Sequence, residues 1–439
     1  MVRFSKTKCL QCVGKCVLLF GLLTLIAVLM LVHRNHKCSV KHFQEESIFR
    51  FSTKCRTEFY EHFHLTSRNS DKCSSIIQGD PEAVELTRLE RILRNKQSAV
   101  NESVYLNMTQ DCYYFKTSQK YITFPLSREE EDFPIAYSMV IHENIEMFER
   151  LLRAIYAPQN IYCIHVDKKS PKQFMQAVGA IASCFDNVFL ATKQENVVYA
   201  SWSRVQADLN CMEDLLRSKA QWHYLINTCG SDFPIKTNAE IVKILKILNG
   251  KNSMESLKTP ENKKYRWMFH YDVNMSVIRT NTKKSQPPIT TPMFTGSAYF
   301  IVTREFVKHL FVDSVIQELI EWEKDTYSPD EHLWATLQRM PGVPGSYQQN
   351  SQYDTSDMIS FARLVKWMQS EGDINKGALY TPCTGMHRHD VCIYGAGDLQ
   401  WILQNRHLFA NKFDLTVDRI TVECLEEYLR HKAFYGEGL

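Results

Sequence analysis

The sequence predicts an α/β fold with a mostly parallel central sheet and flanking helices. Its 439 residues are 44% hydrophobic and 23% charged, a composition that supports a packed core. From Phe133 onward, short apolar runs of strand type alternate with segments of helical spacing. This alternation is typical of βαβ units, whose successive strands lie parallel in one sheet. The formal net charge of +3 is too small to indicate a nucleic-acid partner.

The predicted elements follow one another at short intervals. Strands are predicted at residues 135–142, 160–167, 187–191, 222–230 and 297–303, and helices at residues 147–158, 170–184, 202–216 and 238–248. In a sheet of this kind the ligand crevice lies beyond the carboxyl ends of the strands, where His142, Asp167 and Asp232 occur. An aspartate there either caps the following turn or contacts a ligand. For Asp167 we expect a hydrogen bond to the base or ribose of a nucleotide.

An uncharged apolar run at residues 17–32 follows a basic N-terminus. The preceding basic residues are Arg3, Lys6, Lys8 and Lys15, with no acidic residue among them. A cleaved signal peptide is the alternative reading, but the sequence after the run is basic and polar and lacks a small-residue cleavage pattern. We therefore predict a transmembrane signal anchor whose short N-terminal side is cytoplasmic.

The predicted anchor and its orientation divide the chain into four parts. We predict a cytoplasmic tail at residues 1–15, the anchor at residues 16–32, a luminal stem at residues 33–126 and the main domain at residues 127–439. The stem is expected to contain a helix around residues 81–93. Three N-glycosylation sequons agree with a luminal address and begin at Asn101, Asn107 and Asn274.

The cysteines fit an oxidising compartment. Of fourteen in all, three (Cys9, Cys12 and Cys16) lie in or beside the predicted tail, which leaves eleven in the lumen. Most of these should be paired, and their odd number leaves at least one free or intermolecular. No C-x-x-C motif occurs beyond the apolar run, so a zinc site is weakly supported.

The stretch "DTYSPDEHLW" at residues 325–334 allows two interpretations of Glu331. Ser328 and Glu331 have the spacing of a capping box, and Pro329 fits the first helical position. Glu331 could therefore serve only the start of a helix. Alternatively, its carboxylate could take a proton from a substrate.

Absent motifs narrow the chemistry. No Ser-His-Asp elbow, P-loop or HExxH occurs, and no two aspartates stand two residues apart, so a metal-binding D-x-D is missing. An enzyme that handles a diphosphate without metal must neutralise the leaving group with Arg or Lys. Candidates in the C-terminal part are Arg388, Arg406 and Lys412, each of which could instead be a solvated surface charge.

Two cysteines are expected to close a small hairpin loop. Cys383 and Cys392 are near enough in sequence for this, and the loop between them would carry His387, Arg388 and His389.

From about Phe133 to the C-terminus the chain resembles the core 2 β-1,6-N-acetylglucosaminyltransferases, and within that family it is most similar to the mucin-type member. The matching stretches are long and specific, and lie at residues 132–142, 160–167, 197–215, 231–240, 325–339 and 392–399.

The resemblance implies a fold and an activity. The fold would be a GT-A type glycosyltransferase domain behind a signal anchor in the Golgi membrane, with residues 127–439 as the catalytic domain. It would transfer N-acetylglucosamine (GlcNAc) from UDP-GlcNAc, with inversion and without metal or other cofactor. The acceptor would be the GalNAc of Galβ1-3GalNAc on mucin-like glycoproteins, with core 4 and I-branch synthesis left open.

The resemblance also assigns residues by position. Glu331 matches the catalytic base. Donor-site positions are matched by Val140, His142, Asp167 and Tyr199, and the position that contacts the pyrophosphate by Lys412. Acceptor-site positions are matched by Glu255, Lys263, Arg266 and Trp367.

The family's disulfides imply four pairs and one free cysteine in this chain. The pairs are Cys73–Cys424, Cys112–Cys184, Cys163–Cys211 and Cys383–Cys392, with Cys229 free. Cys38 and Cys55 are left over in the stem, where they could pair with each other or across a homodimer.

One departure concerns the pyrophosphate. The family has an arginine three residues before the second cysteine of the small loop, and this chain has His389 there. Arg388 could replace it, a protonated His389 could do so less well, or the activity could be weakened. Gln352 and Gln369 also stand where relatives carry lysine and tyrosine near the acceptor, so acceptor preference could differ.

Two competing functions follow from these departures. The chain could be a catalytically weakened, membrane-anchored sugar-binding protein on the same scaffold, or a related β-1,6 branching or xylosyl transferase. Against both, our hypothesis is that Ser328 and Asp330 serve the helix end while Glu331 faces the crevice. The helix N-terminus would keep Glu331 ionised so that it can deprotonate the 6-hydroxyl of GalNAc.

Overall fold

The computed structural model describes residues 60–65, 70–93, 100–347 and 360–436. The chain divides into two compact units, residues 1–63 and residues 64–439, and the described part of the first unit, residues 60–63, is helical. The predicted tail and anchor, Cys38, Cys55 and Gln352 lie outside the described residues. None of the helices in the described part has the length and apolar character needed to cross a membrane.

The second unit contains fifteen α-helices in its described part, numbered here in chain order. They are α1 (Ser70–Gln78), α2 (Pro81–Leu93), α3 (Glu102–Met108), α4 (Cys112–Ser118), α5 (Arg128–Glu131), α6 (Ile145–Ile155), α7 (Lys172–Ala182), α8 (Trp202–Arg217), α9 (Asn238–Leu248), α10 (Tyr265–Met268), α11 (Arg304–Val312), α12 (Ser314–Glu323), α13 (Leu333–Leu337), α14 (Leu399–Gln404) and α15 (Arg419–Tyr435).

The same part contains fifteen strands. They are β1 (Ile135–Ile141), β2 (Ile161–Val166), β3 (Val188–Leu190), β4 (Tyr224–Cys229), β5 (Asp232–Pro234), β6 (Ser253–Met254), β7 (Leu257–Lys258), β8 (Phe269–Val273), β9 (Val277–Lys283), β10 (Phe294–Thr295), β11 (Phe300–Thr303), β12 (Arg363–Val365), β13 (Met386–Arg388), β14 (Val391–Ile393) and β15 (Phe409–Asn411).

Six strands form the central sheet, in the order β3-β2-β1-β4-β11-β6. The first four are parallel, and β11 is antiparallel to both of its neighbours. All five predicted strands are present, with ends within three residues of the prediction. The register places Val140 of β1 beside His165 of β2 and Cys229 of β4. These residues therefore meet at the carboxyl edge, where a ligand crevice was expected.

The sheet is buried on both faces, which explains why its strands read as apolar runs. Ile135, Tyr137 and Met139 of β1 pack into one core, while the alternate residue Ala136 packs into a second core on the other face. The second core includes residues of α8, α11, α12 and α13. The segment that carries Glu331 lies next to this second core.

Side-chain caps fix the ends of the predicted helices. The Asn144 side chain accepts a hydrogen bond from the Met147 amide, so α6 begins two residues before the predicted start. Thr237 and Glu240 form a reciprocal capping box at the start of α9, whose bounds match the prediction. Helix α2 also matches the prediction for the stem.

Part of the predicted stem packs against the sheet domain. Ile76 of α1, Tyr105 of α3 and Phe115 of α4 belong to the same hydrophobic core as β1. Two disulfides, Cys73–Cys424 and Cys112–Cys184, join this region to later parts of the chain. The structure also contains Cys163–Cys211 and Cys383–Cys392, so all four predicted pairs are present. Among the described cysteines, Cys229 is the free one, as predicted.

The three sequons lie on the surface. Asn101 caps α3, Asn107 is in that helix, and Asn274 is in the turn between β8 and β9. All three asparagines are exposed, so each is accessible to glycosylation. Their modification stays a prediction.

A buried ion pair supports the small loop near the C-terminus. The Lys366 ammonium lies 2.6 Å from an Asp398 oxygen, and both side chains are almost fully buried. The other Asp398 oxygen accepts hydrogen bonds from the backbone amides of Thr384 and Gly395. The pair thus connects β12 to both ends of the loop.

We predict that Lys366→Met strongly destabilises the protein, because it leaves the Asp398 carboxylate buried without a cation. The unfolding free energy measured by chemical denaturation should fall by about 3–5 kcal/mol. Lys376→Met is the matched control, since Lys376 is 84% exposed and its pair with Asp373 is on the surface. Equal losses in the two variants would contradict the role of the buried pair.

Candidate active site

The segment before α13 does not form the predicted capping box. Ser328 has a left-handed backbone (φ 51°), and its side chain makes no capping hydrogen bond. Its amide instead donates to the Ala200 carbonyl at 2.8 Å, at the entrance to α8. Pro329–Glu331 form a single 3-10 turn, and the α-helix begins only at Leu333. The prediction that Ser328 serves the helix end is therefore wrong, because a contact with a distant segment determines its backbone.

Asp330 also has a different role from the predicted one. Its Oδ1 atom is buried without a hydrogen-bond partner, and burial raises the pKa of its carboxyl to about 6 although the nearby Arg204 guanidinium lowers it. Arg204 donates to Asp208 at 2.6 Å, and Asp208 accepts from the Ser138 hydroxyl on β1 at 2.7 Å. Asp330 therefore faces a buried polar network rather than the end of α13.

Glu331 lies at the edge of this network with its carboxylate partly exposed. Its Oε2 atom accepts a hydrogen bond from the Arg266 guanidinium, and about a third of the side chain is exposed (34%). The Oε1 atom has no hydrogen-bond partner among the described residues. Arg266 itself is 13% exposed, so this ion pair is partly shielded from water. The arrangement leaves one carboxylate oxygen of Glu331 available to a ligand.

The backbone of Glu331 is held by a close approach to Gly296. The Gly296 amide donates to the Glu331 carbonyl at 2.8 Å, and the Thr295 hydroxyl donates to it at 3.3 Å. A Cβ atom at position 296 would lie 2.2 Å from the Glu255 carbonyl oxygen, so only glycine fits there. Gly296 therefore lies between the backbones of Glu255 and Glu331 and is close to both.

The remaining predicted acceptor residues differ in position. Lys263 ends the 3-10 turn that precedes α10, and α10 carries Arg266. Of these two residues, Arg266 contacts Glu331. Trp367 is 43% exposed, and its backbone is bridged to Val391 in the small loop. No contact between Trp367 and Glu331 is present among the described residues.

Three predicted donor residues gather at the carboxyl ends of β1 and β2. Val140 is almost buried, and His142 follows β1 with an exposed ring. Asp167 is 3% exposed, and its Oδ1 atom accepts from the amides of Lys169 and Val197 at 3.0 and 3.3 Å. Asp167 thus caps the turn after β2, which was the alternative to ligand binding. Its Oδ2 atom is 3.2 Å from the Lys169 ammonium.

Tyr199 connects the donor residues to the small loop. Its exposed ring lies 6.3 Å from the ring of His389. The pKa of the Tyr199 phenol is raised, first by desolvation and then by the nearby Tyr327 and Glu331. His389 and Asp390 both have left-handed backbones and form the two-residue turn between β13 and β14. The hairpin predicted between Cys383 and Cys392 is therefore present, and it faces Tyr199.

The two candidate cations for the pyrophosphate differ in their surroundings. Arg388 donates to Asp414 at 2.9 Å and is about half exposed. Lys412 forms no ion pair among the described residues, and its pKa is lowered by burial and by Arg388. Arg388 thus has a carboxylate partner and Lys412 has none among the described residues, so the positive charge of Lys412 is less compensated than that of Arg388. Arg406, the third candidate, is exposed.

Comparisons with known proteins match this chain over most of its length. The family model described as "Core-2/I-Branching enzyme" matches residues 135–403. The chain belongs to the Core-2/I-branching enzyme family. A protein of Bovine herpesvirus 4 named beta-1,3-galactosyl-O-glycosyl-glycoprotein beta-1,6-N-acetylglucosaminyltransferase is 56% identical over the full length of both chains. The "transferase 3" proteins of Bos taurus and Homo sapiens are 56% and 57% identical, over 98% and 92% of both chains.

Membership of the Core-2/I-branching family confirms the resemblance seen in the sequence, but residue roles are not tested by it. One group of metal-ligating residues is found in the described part of this family member, namely Glu371, Cys383 and Cys392. Both sulfurs belong to a disulfide, so neither can coordinate a metal as a thiolate. Independence of metal stays a prediction.

Sequence reasoning missed three residues that hold the site together. Arg204 and Asp208 are spaced i,i+4 on α8, a pattern that normally indicates only a surface ion pair. The sequence around Gly296 does not show that glycine is required there, because the requirement arises from a contact with a segment that is distant in sequence. Asp330 was assigned to a local cap, whereas its buried surroundings come from α8.

We predict that Asp330 makes the stability of this family member depend on pH. In the unfolded chain an aspartate ionises near pH 4, whereas the folded Asp330 stays neutral until about pH 6. The unfolding free energy should therefore fall as pH rises from about 4 to about 6. Asp330→Asn lacks this titration and should gain stability relative to the wild type, by at most about 3 kcal/mol above pH 6.

Unfolding free energies of both proteins at pH 4, 5, 6 and 7 would check this prediction. The control is Asp272→Asn, because Asp272 is exposed on β8 and should give a difference that does not vary with pH. A constant difference between Asp330→Asn and the wild type would contradict the expected titration.

Proposed function

We propose that this chain transfers GlcNAc from UDP-GlcNAc in β-1,6 linkage to the GalNAc of Galβ1-3GalNAc O-glycans. The names of the relatives support this reaction, as they specify a β-1,6-N-acetylglucosaminyltransferase that acts on β-1,3-galactosyl-O-glycosyl glycoproteins. The observation that carries the proposal is Glu331, an ion-paired carboxylate with one free oxygen at the carboxyl edge of the sheet.

In the proposed reaction Glu331 acts as the general base. The acceptor's 6-hydroxyl attacks the anomeric carbon of GlcNAc while its proton passes to Glu331 Oε1. The bond from that carbon to the phosphate oxygen breaks, and UDP leaves with the electron pair, which inverts the configuration. Arg266 supports this role because it donates to Oε2 of Glu331, which holds the carboxylate in place and leaves Oε1 for the proton.

Cationic side chains, rather than a metal, stabilise the departing UDP in this proposal. Lys412 is the main candidate, since its ammonium is partly desolvated and uncompensated. Arg388 would first have to leave Asp414. His389 lies beside Tyr199 and replaces the arginine of the family at this position, so its contribution is expected to be smaller.

Further features of the proposal rest on the sequence. We infer a GT-A type domain behind a signal anchor, a type II orientation in the Golgi membrane and a luminal catalytic domain. Donor contacts are assigned to Val140, His142, Asp167 and Tyr199. Acceptor contacts are assigned to Glu255, Lys263, Arg266 and Trp367. Core 4 and I-branch synthesis, and a homodimer formed through Cys38 or Cys55, remain part of the proposal.

We predict that Glu331→Gln abolishes transfer but leaves donor binding intact, because an amide cannot accept the proton. Turnover should fall by at least about 100-fold, measured as radiolabel transfer from UDP-GlcNAc to benzyl Galβ1-3GalNAc. Binding of UDP-GlcNAc by titration calorimetry should change little. Glu318→Gln, an exposed carboxylate on α12, is the control. Turnover of Glu331→Gln within a few-fold of wild type would rule out Glu331 as the general base.

We predict that Lys412→Ala weakens use of the donor more than either Arg388→Ala or His389→Ala. Because Lys412 is the uncompensated cation, kcat/KM for UDP-GlcNAc should fall by at least about tenfold, or 1.4 kcal/mol. The assay would contain excess EDTA, in which the wild type should stay active. Loss of wild-type activity that manganese restores would refute metal independence. If kcat/KM falls tenfold in none of the three variants, other residues stabilise the pyrophosphate.

Radiolabel transfer also separates the proposal from its alternative. A sugar-binding protein on the same scaffold would bind UDP-GlcNAc or the acceptor without forming product. Linkage analysis of products from core 1, core 3 and I-type acceptors would show which branches the enzyme makes.

A further inference from the structure

A second groove lies at the opposite edge of the central sheet from the candidate active site. It has a volume of about 540 Å³ and is lined by residues around the start of β4, the end of α9 and the start of α11. Strand β4 runs from Tyr224 at this groove to Cys229 near Lys412. At about 3.3 Å per residue the two sites are roughly 17 Å apart along this strand. We propose that the groove binds an anionic sugar that carries a carboxylate or a sulfate group.

One wall of the groove is aromatic. The rings of Phe133 and His223 are stacked, with centroids 4.3 Å apart and planes within 11° of each other. The His223 residue is exposed, while the neighbouring Trp222 is almost fully buried beneath the groove. Flat aromatic walls with a few polar groups are the usual lining of ligand clefts. This wall offers a surface for the apolar face of a sugar ring.

Three cations converge on the same groove. The Lys246 ammonium lies 5.7 Å above the Phe133 ring, and the Arg304 guanidinium lies 5.5 Å above the Trp222 ring. Lys308 is half exposed one turn further along α11. The cations therefore lie close to the aromatic rings. A charged sugar could contact the rings with its apolar face and the cations with its acidic group.

The negative charge in the lining is smaller than the positive charge. Glu305 is the one carboxylate among the lining residues, against Lys246, Arg304 and Lys308. Glu305 forms an exposed ion pair with Lys308 at 2.7 Å. Lys246 also pairs with Glu129, but that pair is on the surface, with both side chains more than 40% exposed. Exposed pairs of this kind exchange partners at little cost. An incoming anion can therefore compete for these cations.

Arg304 provides the most specific evidence. Its Nη1 atom donates to Gln221 at 2.6 Å, whereas its Nε atom is buried without any hydrogen-bond partner. A buried donor without a partner is costly, so such groups usually meet a ligand or water. Arg304 is also the first residue of α11, where the positive end of the helix dipole favours negative charge, although the Arg304 amide already donates to the His223 carbonyl and the Phe306 amide to the Thr303 hydroxyl. An anionic group in the groove would meet this end of the helix and the positive charge of the Arg304 guanidinium.

His223 contributes a ring rather than a charge. Its pKa is lowered by burial and by the neighbouring Arg304 and Lys246, although a hydrogen bond to the Asp132 backbone raises it. At neutral pH the imidazole is therefore uncharged. The positive charge of the groove comes from Lys246, Arg304 and Lys308.

Binding can be tested without reference to transfer, so the proposed function and this inference can fail separately. The full-length protein in detergent would be studied by saturation-transfer NMR, with UDP and benzyl Galβ1-3GalNAc present in excess to occupy the active site. The probes would be the methyl glycoside of N-acetylneuraminic acid, N-acetylglucosamine 6-sulfate, neutral methyl galactoside and a tetraglutamate peptide.

The double variant Lys246→Gln/Lys308→Gln should weaken binding of the anionic sugars by at least about fivefold, because two charge-assisted contacts are lost. Arg304→Gln should have a similar effect, and circular dichroism would verify that both variants fold. Lys243→Gln is the matched control, since Lys243 is exposed on α9 but does not line the groove. It should bind like the wild type.

The probes also identify the anionic group. Binding of the carboxylated sugar, of the sulfated sugar or of both, with none for methyl galactoside, would support the inference and define the group. Failure of both anionic sugars to bind, equal binding by the double variant, or equal binding by tetraglutamate would overturn it.

Discussion

The position of the proposed base depends on Arg204, a mostly buried guanidinium on α8. It is paired with Asp208, which is joined to β1 through the Ser138 hydroxyl, and it also acts on Asp330, directly before Glu331. Charges in such surroundings are tolerated only when they are paired. The turn that carries Glu331 therefore lies against a buried polar network that is attached to the sheet, and this connects the site to the core.

The exposed part of the site is arranged by a different principle. Glu331 is paired with Arg266 and Arg388 with Asp414, so these charges are balanced before any substrate is present. Lys412 is not balanced in this way and is held close to the free Cys229. A site with one uncompensated cation is suited to a ligand that brings its own negative charge. In the proposed reaction, the histidine at position 389 in place of the family's arginine would increase the dependence on Lys412.

Much of the fold could be read from the sequence because the parallel strands are buried on both faces and therefore appear as unbroken apolar runs. The bounds of α9 were also predicted correctly, because the capping box of Thr237 and Glu240 that begins this helix is local in sequence. The error at Ser328 has the opposite origin. Its sequence fits a capping box, but a backbone contact with Ala200 and the burial of Asp330 override the local preference. The candidate site residues themselves came from family resemblance, since their contacts are non-local.

The bond between Cys73 and Cys424 has a consequence for biogenesis. Its two cysteines are separated by 351 positions, and the second lies in the last helix. Cys73 therefore cannot meet its partner until almost the whole polypeptide has been synthesised, and Cys112 and Cys163 are made earlier as competing partners. Correct assembly of this protein should accordingly rely on thiol exchange that replaces premature bonds by the bond between the two ends of the chain.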